Sequence, residues 1–330
     1  MILLYVVALL LPLVIRLFYK LTNSFHSAAK VWIGTTSLLL GANALYWTFE
    51  YIESQDVSFL NYSLNLSIFN SIRLGISRTV LFVTLILANY SWSRGPLCVK
   101  LDVDNSVPEQ PKTIILGYEN IYGSSYFLLV LNFTVGIMLV TKPLGAVSLC
   151  MLVIQILTLL EIARILDIRR NLITPVIFSL LGFQHFFATG HQATIPSVQW
   201  DAGFVTTETI IFPFTHLNIF LNTFGPFIIT CLSVPLISLW AIPPSSKPIT
   251  LLSYIVTNIT TVITHQSLIA ISSFIFAAHF RRHLMVWKIF APRFMLGGLT
   301  LIVTNVTLVV VTLWFGTGKV LAQVNRIFGK

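Results

Sequence analysis

Residues 122–140, YGSSYFLLVLNFTVGIMLV, and residues 144–162, LGAVSLCMLVIQILTLLEI, decide the fold class of this chain. Glu161 is their only charged residue, and each stretch is close to the ~20 residues with which an α-helix crosses the hydrocarbon core of a bilayer. Because lipid offers the backbone no hydrogen-bond partner, such a stretch must satisfy its own peptide groups as a helix. Both stretches are therefore predicted to be transmembrane helices.

The composition extends this interpretation to the whole chain. Hydrophobic residues make up 56% of it and charged residues 9%, with a mean hydropathy of +0.86, whereas about 25% of the residues of a typical soluble protein are charged. Further apolar stretches lie at about residues 2–18, 31–49, 74–92, 172–188, 250–279 and 295–315. We therefore predict an all-α polytopic membrane protein, with one multi-span membrane domain over residues 1–330.

Residues 203–240 allow two interpretations. The segment is long enough for two short spans that turn near Asn222 and Gly225, or for one span preceded by a re-entrant segment. The re-entrant segment would contain Glu208, Pro213 and His216. The first interpretation predicts about ten transmembrane helices in the chain, and the second predicts nine.

The charge of the loops orients the spans and favours ten of them. Lys and Arg prefer the cytosolic side of a membrane, so the basic residues between the first two spans place the N-terminus in the lumen. Alternation then places residues 189–203 in the lumen as well. Only two crossings within residues 203–240 put the basic residues 281–288 in the cytosol, which is why the ten-span interpretation is preferred.

Two loops carry further expectations. The loop after the second predicted span is assigned to the lumen and contains two glycosylation-type triplets, which begin at Asn61 and Asn65. The polar loop at residues 93–120 has prolines among mixed charges and is predicted to have little fixed structure.

Residues 184–201, QHFFATGHQATIPSVQWD, place polar, ionisable and helix-breaking residues between two apolar stretches. Ionisable side chains are costly in hydrocarbon unless they face protein, water or a ligand. The amide, imidazole, hydroxyl and indole groups of this motif could hydrogen-bond to the phosphate or sugar of a lipid headgroup or glycan. The candidate substrate-binding residues are Gln184, His185, Thr189, His191, Gln192, Gln199, Trp200 and Asp201.

The motif allows two other interpretations. A capped helix end with interfacial aromatic residues would use the same residue types, and chemistry alone does not separate it from a binding site. His185, His191, Asp201 and His216 are zinc ligands by type, but their spacing matches no compact His motif. No metal site is therefore predicted in this chain.

Three other groups of polar residues have simpler interpretations. Glu161, Arg164 and Asp167, spaced i, i+3 and i+6, are predicted to form a structural ion pair along one helical face, with a proton relay as the alternative. His265 and Gln266 are predicted to hydrogen-bond between helices. Residues 281–294, RRHLMVWKIFAPRF, suit a helix that lies in the interface and ends at a proline. Its basic residues are Arg281, Arg282, His283, Lys288 and Arg293.

Residues 184–200 and 281–294 together resemble the membrane region of the GPI ethanolamine phosphate transferases. The second stretch is similar to all members of that family. The first, which contains Ala188-Thr189-Gly190-His191-Gln192, is most similar to the member that acts on the third mannose of the GPI core. The resemblance is strongest over residues 160–315.

The resemblance implies an enzyme of the endoplasmic reticulum membrane that transfers phosphoethanolamine from phosphatidylethanolamine to a mannose of the GPI precursor. It also implies a lumenal alkaline-phosphatase-like catalytic domain with two zinc ions, and a small multi-span partner subunit. No stretch of residues 1–330 matches that catalytic domain, so no catalytic residue and no cofactor is assigned to this chain. Its expected role is to hold the GPI-precursor glycolipid and the donor lipid beneath the catalytic domain.

Two alternatives remain open at this point. The chain could be a non-catalytic scaffold that binds the partner subunit, or a transporter or flippase for a polar lipid, although no inverted repeat is visible. Nucleic-acid binding is not expected despite the net charge of +9, because the basic residues sit beside apolar spans, where topology and anionic lipid account for them.

Overall fold

The computed structural model describes residues 2–21, 27–54, 66–94, 101–104, 112–115, 121–168, 171–192, 198–240 and 248–328. The helices in this part of the chain are α1 Ile2–Leu21, α2 Ser27–Ser54, α3 Leu66–Phe82, α4 Ala88–Arg94, α5 Ile121–Val140, α6 Pro143–Ile165, α7 Ile173–Ala188, α8 Phe214–Ser233, α9 Leu236–Leu239, α10 Pro248–His279, α11 Leu284–Val306 and α12 Gly318–Phe328. The π-helical segments Val83–Leu87 and Thr307–Thr317 join α3 to α4 and α11 to α12. Short 3-10 helices lie at Trp200–Val205 and Phe280–Arg282.

Helices fall on every apolar stretch that the sequence indicated. Six are long and apolar enough to cross a membrane, namely Ile68–Arg94, Tyr122–Val140, Pro143–Ile165, Phe214–Leu239, Ile249–Arg282 and Phe290–Asn325. The apolar helices Leu4–Leu17 and Ile173–Ala188 are shorter. The predicted class, an all-α membrane protein, is confirmed.

A short hairpin is the exception to the helical architecture within the described residues. Strands β1 Leu101–Asp104 and β2 Lys112–Ile115 pair antiparallel, with Leu101 opposite Ile115. The prediction that residues 93–120 have little fixed structure is therefore wrong for these two strands. The glycosylation-type triplets at Asn61 and Asn65 lie outside the described residues, as do residues 193–197 of the polar motif.

Helices α5 and α8 form the centre of the bundle. In the spans Tyr122–Val140 and Phe214–Leu239, 94% and 89% of the most apolar stretch is buried, against 17% in Ile249–Arg282. A helix that is apolar on every side can be packed on every side. The two central helices approach closely where Gly225 of α8 meets Ile137 of α5, since a Cβ atom at Gly225 would overlap the Ile137 side chain.

Polar side chains join the helices across the bundle. Asn132 Nδ2 of α5 donates to Asn89 Oδ1 of α4 at 2.9 Å. The ring of His265 bonds to Ser179 Oγ at 2.9 Å, and Gln266 Nε2 donates to the same oxygen at 2.8 Å. The predicted role of His265 and Gln266 as interhelical hydrogen-bonding groups is confirmed for the α10–α7 contact. Such bonds stabilise helix pairs where the alternative is an unpaired group in lipid.

Residues 203–240 contain one long helix. Asn222 and Gly225 lie inside α8, which continues through α9 as the single apolar helix Phe214–Leu239. The predicted turn near these two residues is therefore wrong. Gly225 serves the close approach to α5 instead of a turn. The residues before Phe214 form the 3-10 helix and an irregular segment, whereas His216, which the alternative interpretation placed in a re-entrant segment, lies inside α8.

The basic residues 281–294 form the turn between α10 and α11 and the first part of α11, and we call this turn the α10–α11 tip. Helix α11 begins at Leu284 and continues through Pro292, so the predicted separate interfacial helix that ends at this proline is wrong. Asn258 of α10 bonds to Ser238 at 2.8 Å, next to the end of the α8–α9 helix. Helices rise 1.5 Å per residue, and α10 runs antiparallel to α8. Because the start of α10 lies beside the end of the α8–α9 helix, the far end of α10 lies level with Phe214. Residues 281–288 are therefore at the same end of the bundle as the polar motif, whereas the ten-span interpretation placed them at the other end.

Candidate functional site

The polar motif begins where α7 ends. The amide of Thr189 still donates to His185 O at 2.9 Å, and Gly190 then adopts a φ of 89°. This left-handed conformation favours glycine because it has no Cβ atom. The chain turns back over the helix end, so Thr189 and His191 are buried while Gln192 is exposed.

His185 is a bridge between α7 and α6. Its Nε2 lies 2.8 Å from Gln155 Oε1 and its Nδ1 lies 2.9 Å from Ser148 Oγ. Because the amide oxygen accepts, Nε2 carries the proton and Nδ1 accepts from the serine hydroxyl. Both ring nitrogens are used within the protein, so His185 holds the two helices together and has no free nitrogen for a ligand.

His191 is also buried, but one of its nitrogens has no partner. The ring stacks on Phe186 with centroids 5.2 Å apart, and Nδ1 lies 3.1 Å from Thr189 Oγ1. Nε2 has no hydrogen-bond partner in the described part of the chain. Burial lowers the pKa of His191 to about 4, so the ring is neutral near pH 7.

Gln199 ties the returning chain to α8. Its Nε2 donates to Thr189 O at 3.3 Å, and its Oε1 accepts from Asn222 Nδ2 at 3.3 Å. One turn earlier on α8, Asn218 Nδ2 donates to Gly203 O at 3.1 Å. Asn218 and Asn222 therefore hold the polar segment on α8. Neither was predicted from the sequence to have this role, although their i, i+4 spacing within an apolar helix was the available signal.

The remaining members of the motif are exposed and separate from the buried histidines. Gln184, Gln192, Trp200 and Asp201 all face outward. Asp201 pairs with Lys142, at the start of α6, at 3.3 Å. The predicted site thus divides into a buried hydrogen-bonded part, which fixes the segment, and an exposed part that contains its carboxylate.

A cavity of about 350 Å³ lies beside Asp201. Among the predicted site residues only Asp201 lines it. The lining residues come from α2, α3, the α5–α6 turn and the 3-10 helix, and they are Tyr46, Trp47, Glu50, Arg73, Val140, Lys142, Asp201, Ala202, Phe204 and Val205. Glu50, Arg73, Lys142 and Asp201, which the charge pattern assigned to the lumenal side, thus lie together at one end of the bundle.

Arg73 is the best-connected charge of this cavity. It forms an ion pair with Glu50 and lies 3.5 Å from Glu53, and its Nη2 donates to Asn70 Oδ1 at 2.8 Å. Asn70 bonds in turn to Glu208. These contacts link α2 and α3 to the segment before α8. The sequence analysis missed Arg73, although an arginine beside an apolar span is a recognised signal for a functional position.

The other predicted polar groups lie apart from the cavity. Arg164 Nε pairs with Glu161 Oε2 at 3.0 Å, and Trp240 Nε1 donates to Glu161 Oε1 at 2.8 Å, at the opposite end of the bundle. Asp167 lies just beyond the end of α6 and has a φ of 51°. The basic residues Arg281, Arg282, His283, Lys288 and Arg293 are exposed at the α10–α11 tip.

The zinc-ligand types of the motif are not brought together. Within the described residues, no group of three His, Cys, Asp or Glu side chains could hold a metal ion. His185 is occupied by Ser148 and Gln155, and Asp201 by Lys142.

Comparison with known proteins gives consistent results. The chain is 47% identical over 97% of its length to GPI ethanolamine phosphate transferase 3 of Eremothecium gossypii and 44% identical over 97% to that of Saccharomyces cerevisiae. It is 37% identical over 56% of its length to that of Schizosaccharomyces pombe. The first two matches cover 31% and 32% of those relatives. No family model and no solved structure matches the chain. Over nearly all of its length the chain is thus similar to about one third of GPI ethanolamine phosphate transferase 3, and the family resemblance predicted from its two motifs is confirmed.

Proposed function

We propose that this chain is the membrane-spanning region of a GPI ethanolamine phosphate transferase of the endoplasmic reticulum. The complete enzyme would transfer phosphoethanolamine from phosphatidylethanolamine to the third mannose of the GPI-anchor precursor. The observation that carries the proposal is the 47% identity over 97% of the chain. The similarity of residues 184–200 to the member that acts on the third mannose supports the choice of acceptor.

We propose that the described helices cross the membrane nine times. They would be α1, α2, α3 with α4, α5, α6, α7, α8 with α9, α10, and α11 with α12. With a lumenal N-terminus, this count puts the cavity, the polar motif and the α10–α11 tip on the lumenal face. That is the face on which the proposed glycan transfer would take place.

The contribution of these residues to catalysis would be positional. Phosphoryl transfer is favoured when donor and acceptor are held in a reactive geometry, because the entropy of bringing them together is already lost on binding. The hydrogen bonds of Gln199, Asn218 and Asn222 hold the lumenal segment rigidly over the bundle. The exposed indole of Trp200 is then available to a glycan or headgroup. Zinc and the nucleophile would belong to the catalytic domain of the family.

The partner subunit would pack on the outer helices. Only 17% and 33% of the most apolar stretches of Ile249–Arg282 and Phe290–Asn325 are buried. These spans therefore present wide apolar faces to lipid or to another membrane helix. We propose that the small multi-span subunit of the transferase occupies part of this surface.

The proposal is tested by the GPI precursors that accumulate when the complete protein is depleted from cells. Mass spectrometry should show precursors that lack phosphoethanolamine on the third mannose, and re-expression of the protein should remove them. Precursors that keep this group after depletion would contradict the proposal. Purified complete protein should also transfer the group from phosphatidylethanolamine to a mannosylated acceptor, whereas a scaffold would not transfer it and a flippase would only move lipid between leaflets.

A further inference from the structure

We propose that the cavity beside Asp201 binds the zwitterionic headgroup of a phospholipid with a primary ammonium group. The ammonium would lie on the carboxylates of Glu50 and Asp201, and the phosphate on the cations of Arg73 and Lys142. The site is argued from its own charges and unpaired donors. It rests on the proposed function only in the suggestion that the bound lipid is the phosphoethanolamine donor.

The charges of the cavity match a zwitterion. Two cations and two carboxylates line it, arranged as the pairs Arg73–Glu50 and Lys142–Asp201. A headgroup with one positive and one negative charge can interact with both signs. A purely anionic headgroup would find its cations already neutralised by the two carboxylates, so it should bind less well.

The Lys142–Asp201 pair can open to admit such a ligand. The side chains of Lys142 and Asp201 are 54% and 82% exposed, and exposed ion pairs contribute little to stability. The Arg73 side chain is only 14% exposed and is held by Glu50 and Asn70. The cavity is therefore lined by one cation that is held in place and by one ion pair that can separate.

Two unpaired donors point to a missing acceptor. Trp47 Nε1 and Arg73 Nε are buried and have no hydrogen-bond partner among the described residues. Buried donors are nearly always paired in folded proteins, with protein groups, water or ligand. Both residues line the cavity, and a phosphate oxygen accepts hydrogen bonds from indole and guanidinium groups. The phosphate is therefore placed on the side of Trp47 and Arg73.

Size and position also suit a headgroup. The volume of about 350 Å³ is at the lower end of the range for small-molecule sites, which is enough for a headgroup but not for acyl chains. The cavity lies at the ends of α2, α3 and α5, beside the 3-10 helix Trp200–Val205. A primary ammonium can donate three hydrogen bonds to carboxylates, whereas a trimethylammonium can donate none. The site should therefore prefer ethanolamine over choline lipids.

The test measures lipid binding to the complete protein, reconstituted in phosphatidylcholine nanodiscs that contain labelled phosphatidylethanolamine. We expect Arg73→Gln to weaken binding by about tenfold or more, with Arg94→Gln, at the other end of the bundle, as the matched control. Trp47→Phe keeps an aromatic ring and removes only the unpaired N–H. It should weaken binding about fivefold without lowering the melting temperature, while Trp314→Phe should leave binding unchanged.

Competition experiments distinguish an ethanolamine headgroup from other phosphate-containing ligands. Soluble glycerophosphoethanolamine should displace the labelled lipid, whereas inorganic phosphate and phosphatidylglycerol should not. Equal competition by phosphatidylglycerol, or wild-type binding in both Arg73→Gln and Trp47→Phe, would overturn the proposal. Because binding is measured without transfer, an intact headgroup site in a protein that fails to modify the third mannose would refute the proposed function alone.

Discussion

The imidazole of His185 donates to the side-chain oxygen of Gln155 across 2.8 Å, and this bond joins α7 to α6 beneath the polar motif. The other ring nitrogen accepts from Ser148 on the same helix. The sequence context of His185 suggested a metal or substrate ligand. In the structure its side chain instead connects α7 to α6. The distinction leads to different predictions for the two histidines of the motif.

His185→Ala should destabilise the protein. The substitution removes the His185 partner of the half-buried Gln155 and Ser148 side chains, and the loss of the two hydrogen bonds should cost about 1–3 kcal/mol. Thermal unfolding of the complete protein in detergent should show a lower midpoint, and Gln184→Ala, at the exposed neighbouring position, should leave it unchanged. An unaltered midpoint for His185→Ala would show that the bond contributes nothing measurable.

His191→Ala should lower transfer to the glycan in the complete enzyme while membrane insertion stays intact. Its Nε2 has no partner in the described part of the chain, so fewer internal bonds are lost than at His185. Transfer should be measured at limiting acceptor, where a weaker binding step is visible as a lower rate. A wild-type rate for His191→Ala under that condition would rule out a role in the headgroup or glycan site.

The folded protein should lose stability in mild acid through His191. Burial lowers its pKa from 6.5 to about 4 in the folded state, so the neutral ring is preferred there. Above pH 6.5 the ring is neutral in both the folded and the unfolded protein, so His191 does not affect the pH dependence of stability there. As the pH falls from 6.5 towards 4, the unfolded protein takes up the proton first, and the free energy of unfolding falls by at most about 1.4 kcal/mol per pH unit. The difference in melting temperature between pH 7 and pH 5 should be smaller in His191→Gln than in the wild type. An equal difference would contradict the buried neutral state.

A glycosylation tag can decide between nine and ten spans. With one crossing in residues 203–240, a tag at Ser245 should stay unmodified in the cytosol, while a tag beside His283 should be modified in the lumen. A tag within residues 55–65 is the positive control, since both topologies place that loop in the lumen. Modification at Ser245 would restore the ten-span arrangement.

Gly225→Ala should disturb the centre of the bundle. The added methyl group would overlap Ile137 of α5, and overpacking of this kind costs about 1–3 kcal/mol. Gly298→Ala is the matched control, because a Cβ atom there meets nothing within 4 Å. The overlapping atom is the Cγ2 methyl of Ile137, so Ile137→Ala should lower the melting temperature less in the Gly225→Ala variant than in the wild type. Equal melting temperatures for the two alanine variants would argue against the close approach of α5 and α8.

The sequence indicated where the helices lie but not how polar residues are shared between them. Stretches such as residues 122–140 and 144–162 predict spans from local information, because the transfer of an apolar helix into lipid depends on the residues of that stretch. The polar motif was identified for the same reason, since its cost in hydrocarbon is visible residue by residue. The sequence placed residues 281–288 at the wrong end of the bundle. That prediction used only the preference of basic residues for the cytosol, whereas the number of crossings in residues 203–240 depends on how the helices pack.

What the sequence by itself determined is the membrane class, the helix positions and the segment that carries the polar motif. Only the tertiary structure showed that both ring nitrogens of His185 are hydrogen-bonded to α6 and that Asp201 forms an ion pair with Lys142. It also showed that Trp47 and Arg73 line the same cavity. These residues are far apart in the chain, and their contacts depend on which helix faces pack together. Helix packing in a membrane depends on close fit and a few hydrogen bonds, not on overall hydrophobicity, so no local pattern could have shown which side chains would meet.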